Sequence, residues 1–246
     1  YVDNNNSGAD STARQVKTGN GADTSIKVSD RQLIVTSATN NLAAMMVKNA
    51  AGATKFVVDT SNDQVKALGT HVNTQYAHFG IASTISANYA ADTHYPIPFS
   101  SNNQALGNQD DITFGTSTDP ATTFTTADSA SADASLLVPM MWYVPDSISI
   151  DGVYSLEGLE ASSTITTRCH LFSYTFTSGS TSALTSGTLL AHNSDVTNAG
   201  SEQAYLSDWT VDSASVAAGK VILAFFRMDS SADDPSVSIT VKYHLT

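Results

Sequence analysis

Positive charge is what this sequence has least of. Lys and Arg together number 11 in 246 residues against 23 Asp and Glu, a formal net charge of -12 with a pI near 4.6. A phosphate backbone is bound by clustered Lys and Arg, so nucleic acid is excluded as an expected partner. Charged residues of both signs make up only 14% of the chain, and glutamate is reduced to Glu157, Glu160 and Glu202. Ser, Thr, Asn and Ala must therefore form most of the surface. That composition disfavours helices and suits extracellular or virion β-proteins. Cys169 is the single cysteine, which excludes an intrachain disulfide and a thiolate metal cluster. Between Arg168 and His170 it reads as a small buried strand residue. No apolar run approaches the roughly 20 residues that cross a bilayer, so membrane insertion is not expected.

Local signatures of chemistry are also missing. There is no G-x-S-x-G elbow, P-loop or G-x-G-x-x-G, hence no motif for acyl transfer or nucleotide binding. The segment Asp3-Asn4-Asn5-Asn6-Ser7-Gly8 begins like a calcium loop, but its twelfth position is Arg14, where a bidentate Glu should close the site. Asp110-Asp111 and Asp233-Asp234 read as solvated loop pairs. The six histidines, His71, His78, His94, His170, His192 and His244, show neither HExxH nor HxH spacing. His170 shares a strand face with aromatics and reads as a core or interface residue. His71 and His78 flank a junction, where repetition about a threefold axis would supply three equivalent ligands. No catalytic residue, metal ligand, cofactor-binding residue or cofactor is assigned, and the chain is not expected to be an enzyme.

What is present is a succession of short strands. Residues 1–24 are polar and turn-forming with no repeating apolar face, and read as an arm that is unstructured or laid along a neighbouring molecule. Short strands are expected at 25–28 and 32–36, and a helical turn at 40–46. Residues 46–70, MVKNAAGATKFVVDTSNDQVKALGT, hold three strands and two turns: apolar residues alternate in Lys55-Phe56-Val57-Val58-Asp59 and in Gln64-Val65-Lys66-Ala67-Leu68. A meander this small hides too little apolar area to offset its ordering entropy, so it requires partners.

The region 71–97 is irregular and is taken as a junction, giving an arm over 1–24, a neck over 25–98 and a head over 99–246. In the head, 136–144 (LLVPMMWYV) and 221–228 (VILAFFRM) read as doubly covered strands, and Ile148 and Ile150 lead into an Asp151-Gly152 hairpin turn. Residues 165–176 place His170, Phe172, Tyr174 and Phe176 on one face and Cys169, Leu171 and Ser173 on the other. The clearest strand ends the chain, with Val237, Ile239, Val241, Tyr243 and Leu245 alternating with polar residues. The expected fold is all-β, a small β-rich neck followed by a jelly-roll-like β-sandwich.

On the Val-Lys, Ala-Gly turn, Phe-x-Val-Asp-Thr and Gly-Thr pattern of residues 25–80, the chain resembles shaft and neck segments of phage fibre and virion appendage proteins. From Leu136 onward, with the segment WTVDSASVAAGKVILAFFR of residues 209–227, it is similar to C-terminal jelly-roll heads of structural proteins of marine tailed phages. The resemblance implies a homotrimeric structural protein on the exterior of the virion, a tail fibre or a capsid fibre or decoration protein. Its N-terminal part would contact other capsid or tail proteins, and any receptor of the head would be a host-surface glycan. The competing expectation is a secreted carbohydrate-binding or glycan-hydrolysing β-sandwich, which requires an exposed aromatic groove and paired carboxylates.

Overall fold

A computed structural model describes residues 11–12, 14–29, 31–81, 89–100, 112–124, 134–160, 164–230 and 234–246, the side chains of Arg14, Glu160 and Asp234 excepted. The chain forms two compact units, Tyr1–Asn73 and Thr74–Thr246. Strand pairing is antiparallel throughout, and among the described residues no helix is long and apolar enough to cross a membrane.

The first unit holds two small sheets. Strands β1 (Arg14–Lys17), β2 (Asp23–Val28) and β3 (Leu33–Val35) pair in sequence order. The expected arm is therefore not wholly outside the fold: from Arg14 it is the first strand of a hairpin, because the Thr18 to Ala22 turn, with Gly21 at φ 85°, returns the chain onto itself. Residues 1–10, which include the Asp3 to Gly8 segment, and residue 13 lie outside the described residues. The second sheet is the expected meander with one strand more, β4 (Met45–Lys48), β5 (Thr54–Asp59), β6 (Gln64–Ala67) and β7 (Thr70–His71). The helical turn expected at 40–46 is instead a turn in which the Asn41 side chain accepts from the Ala43 N–H, followed directly by β4. Asn41 favours this because its short amide competes with helical backbone bonding.

The second unit is a sandwich. Its strands are β8 (Thr74–Ile81), β9 (Tyr95–Ile97), β10 (Trp142–Tyr143), β11 (Ile148–Glu160), β12 (Thr164–Phe176), β13 (Leu184–His192), β14 (Val196–Ala199), β15 (Gln203–Asp208), β16 (Thr210–Val211), β17 (Ser215–Val216), β18 (Lys220–Met228) and β19 (Asp234–Leu245). One sheet runs β15-β11-β19-β8 and the other β10-β18-β12-β13-β16, with β17, β14 and β9 as side strands. Numbering the eight principal strands 1 to 8 in chain order, the sheets read 6-3-8-1 and 2-7-4-5. That is jelly-roll order.

The compact units meet at Asn73/Thr74, not at the expected 98/99 boundary. β8 pairs with β19 along eight residues, from Thr74↔His244 to Ile81↔Val237, and β9 pairs with β18. The sequence pattern assigns both to the neck, yet Ala77, Phe79, Ile81, Tyr95 and Ile97 are core side chains of the sandwich.

β12 and β18 sit in the middle of their sheet and are apolar on both faces. Cys169, Leu171, Ile222, Ala224 and Phe226 point into the inter-sheet core, with Val237, Ile239 and Val241 opposite. Phe172, Tyr174, Val221, Leu223 and Phe225 point the other way, into a second core closed by Ile112, Phe114, Phe124, Leu137 and Met140. The strand expected at 136–144 supplies part of this outer cover, as a 3-10 helix, Ala134–Met140, followed by the two-residue β10. Pro139 explains the change: it has no N–H for a sheet ladder. The Asp151-Gly152 pair does not turn the chain either. β11 runs through it while pairing with β19, and Asp151 is the extra residue of a bulge between Ile150 and Gly152.

Candidate functional site

Among its described residues the N-terminal unit is built by turn chemistry without a core. Asn49 closes the β4–β5 turn by accepting from the Ala53 N–H on its side chain, and Gly52 takes φ 82°. Asp59 closes the β5–β6 turn, accepting from the Ser61 and Asn62 backbones and the Asn62 side-chain amide. These bonds, the Asn62 side chain first, hold its carboxyl below the ordinary range. Among the described residues of this unit no apolar side chain is buried; only Ser29 and Asp59 are. Leu33 and Leu42 are each 65% exposed, and Met45, Met46, Val47 and Val72 are exposed as well.

Leu68 stands out among them. The Ala67↔Thr70 pairing leaves Leu68-Gly69 as a two-residue hairpin loop, with φ 53° and 84°. Such loops favour Asn or Gly because a branched side chain pays for left-handed backbone, about 1 kcal/mol or more. Leu68 is also 75% exposed. Both its backbone and its side chain are placed against local preference.

Within the second unit, Thr74–Thr246, titratable groups form two buried sets. Glu157 lies between the two sheets. Its Oε1 accepts from Ser155 Oγ at 2.6 Å and Asn193 Nδ2 at 2.7 Å, and its Oε2 from Thr167 Oγ1 at 3.1 Å. Ser155 Oγ in turn accepts from Trp209 Nε1, and Asn193 Oδ1 from the Cys169 N–H. The carboxylate thus ties β11, β12, the end of β13 and Trp209 together, and its donors are all neutral groups. Cys169 is fully buried beside it; desolvation, then the Glu157 charge, pushes the thiol well up, so it is an inert core residue.

The second set is a histidine pair on the outer face of the other sheet. His94 and His170 are buried, with ring centroids 5.1 Å apart. His94 Nε2 is 2.9 Å from the Ser117 carbonyl, which can only accept, so Nε2 carries the proton; His170 Nε2 is 3.3 Å from Asp119 Oδ1. Desolvation lowers both imidazoles, and that of His170, with added repulsion from His94 and Arg168, is pushed down to about 3. The pair is held neutral as core filling.

The other histidines lie on four different strands. His71 ends β7 opposite Lys66, and His78 is exposed with Nδ1 3.2 Å from Thr240 Oγ1. His192 pairs with Asp212 at 2.7 Å, and His244 with Asp151, the bulge residue, at 3.0 Å. Neither His–Asp pair was legible, since its members are 20 and 93 residues apart. Asp110, Asp111 and Asp233 lie outside the described residues, and Asp234 is described in backbone only.

No family model matches the chain, and no curated protein matches it. A solved structure, an aminopeptidase from the marine sediment archaeon Thaumarchaeota archaeon, is similar at 7% identity with a TM-score of 0.33. The alignment covers 78% of this chain, which spans 40% of that one. A likeness at that level carries no argument about activity.

Proposed function

We propose that this chain is a structural protein of a tailed-phage virion, a homotrimeric exterior appendage that attaches through its N-terminal unit and presents the jelly-roll head outward. It performs no catalysis and needs no cofactor. The observation that carries the reading is the N-terminal unit: two sheets without a buried apolar side chain, with Leu68 displayed on a left-handed tip. Units of this size without a core gain their stability from association. The pattern of residues 25–80 and the low charge content support the same reading. Tail fibre and capsid decoration remain alternatives of position within it.

The test is immunogold electron microscopy with antibody to the head on intact particles. Labelling at a fixed position on the particle exterior supports the proposal and assigns tail or capsid. Particles that carry no label while the protein accumulates in the medium contradict it and favour the secreted β-sandwich. Release of reducing ends from host surface glycan by the pure protein overturns the non-enzymatic assignment.

A further inference from the structure

The tip of the β1–β2 hairpin holds Asn20-Gly21, the one Asn-Gly pair in the sequence. The chain turns there through Gly19, Asn20 and Gly21: the Thr18 N–H donates to the Ala22 carbonyl at 2.8 Å, and the Gly21 N–H to the Thr18 carbonyl at 2.9 Å. Gly21 takes φ 85°, and a Cβ built on Gly19 or Gly21 would meet no atom within 4 Å. This is a three-residue hairpin loop with glycine at its left-handed position. The Asn20 side chain folds back over the loop, where its Oδ1 accepts from Thr18 Oγ1 and, at 3.3 Å, from the Ala22 N–H. We propose that Asn20 is a site of spontaneous covalent self-modification: the Gly21 nitrogen closes a succinimide on the Asn20 side chain, and water opens it to aspartate or isoaspartate.

The turn brings the parts of this reaction together. The Gly21 nitrogen, its proton passed to hydroxide, gives its lone pair to Asn20 Cγ. The Cγ–Nδ2 bond then breaks, and ammonia leaves with a proton taken from water. Water adds to the ring next: cleavage of the Cγ–N bond leaves aspartate, and cleavage of the bond from that nitrogen to the α-carbonyl carbon leaves isoaspartate. While the first bond forms, negative charge develops on Oδ1, the atom that Thr18 Oγ1 and the Ala22 N–H face. Donors already aimed at that oxygen stabilise the charge as it appears. Gly21 has no Cβ to crowd the closing ring. What opposes attack is the bond from the Gly21 N–H to Thr18, a single hydrogen bond at a loop tip that local fraying opens.

Asn193, followed by Ser194, is the contrast. Its side chain is buried, with Nδ2 donating to Glu157 and Oδ1 accepting from the Cys169 N–H. A carboxamide tied at both ends inside the core cannot swing onto the next nitrogen, so Asn193 is expected to persist. At Asn20 either product adds a negative charge to the hairpin tip. Isoaspartate also lengthens the backbone by one carbon between Thr18 and Ala22, which disrupts the turn that pairs β1 with β2.

The experiment holds the folded full chain in mildly alkaline buffer and follows the amide-to-acid mass shift by peptide mapping, with isoaspartyl methyltransferase labelling to count isoaspartate. Conversion is expected at Asn20 and not at Asn193, at a rate that rises with pH. Thr18→Val keeps the branched shape and the backbone bonds of the turn but removes the hydroxyl donor, and should slow conversion about fivefold, whereas Thr18→Ser should retain the parent's rate. A folded parent that keeps Asn20 intact while the urea-unfolded chain converts it overturns the proposal, because the Gly21–Thr18 bond then blocks attack. A Thr18→Val chain that converts as fast as the parent likewise overturns it, since the dipeptide alone would then set the rate.

Discussion

Glu157 shows how one residue holds several elements at once. Its carboxylate accepts three hydrogen bonds between two sheets, and removing an acceptor strands donors that water cannot reach. Glu157→Gln keeps the volume but turns one oxygen into a donor facing Ser155, Asn193 or Thr167. It should cost about 1–3 kcal/mol, read as a lower denaturant midpoint at unchanged slope. A variant with the parent's midpoint would mean that the network does not stabilise the fold. Sequence pattern alone gives no hint of this role, because the partners come from positions 2, 10 and 36 residues away.

The histidine pair sets the acid limit. His94 and His170 are bases whose folded values lie below the ordinary 6.5. Above pH 6.5 both are neutral in folded and unfolded chains, and the full stability is present. As the pH falls below 6.5 the unfolded chain takes up protons that the folded one resists, so each histidine costs up to about 1.4 kcal/mol of stability per pH unit until its own folded value is reached, about 3 for His170. Arg168, Arg227 and His192 add to the resistance, and Asp119 opposes it. Thermal midpoints should decline between pH 6.5 and 5, before most carboxylates titrate, and His170→Gln should flatten that decline. An identical slope in the variant would assign the acid loss to other groups. The placement of His170 on an aromatic strand face was legible; its pairing with His94 was not.

At the scale of elements, alternation was legible where a strand has one wet face and opaque where backbone geometry decides. β19 follows its pattern over its first part, with Val237, Ile239 and Val241 buried and Ser236 and Ser238 exposed, and departs from it at the end, where Leu245 is exposed and His244 is buried against Asp151. β12 advertised two covered faces, and the second core supplies the second cover. What the pattern could not convey is how that cover is seated. In β13, Ser186 takes φ 54° and Ser186-Gly187 bulge against Tyr174, and the Gly187 N–H donates to the Thr122 carbonyl at 2.8 Å. A Cβ on Gly187 would lie 2.7 Å from the Tyr174 ring and 2.8 Å from Thr122 Cα. Tyr174 is itself anchored, its hydroxyl donating to the Ala121 carbonyl at 2.8 Å. Gly187→Ala should therefore cost about 1–3 kcal/mol, because backbone must yield. The same change at Gly158, where the nearest contact is 3.5 Å away, should cost less. Equal melting temperatures for the two variants would contradict the close approach.

For the whole molecule, the two units differ in what holds them. The second unit has two cores and two packed sheets; the N-terminal unit has turns, ladders and exposed leucines. The sequence-level boundary failed at β8, whose alternation from Tyr76 to Ile81 was present but hidden by its position beside an irregular stretch. The central claim is that a chain so divided is stable as a trimer. Light scattering of the full chain at micromolar concentration measures this directly. A homotrimer predicts about three times the 25.8 kDa chain mass, and a uniform species at 25.8 kDa would contradict it.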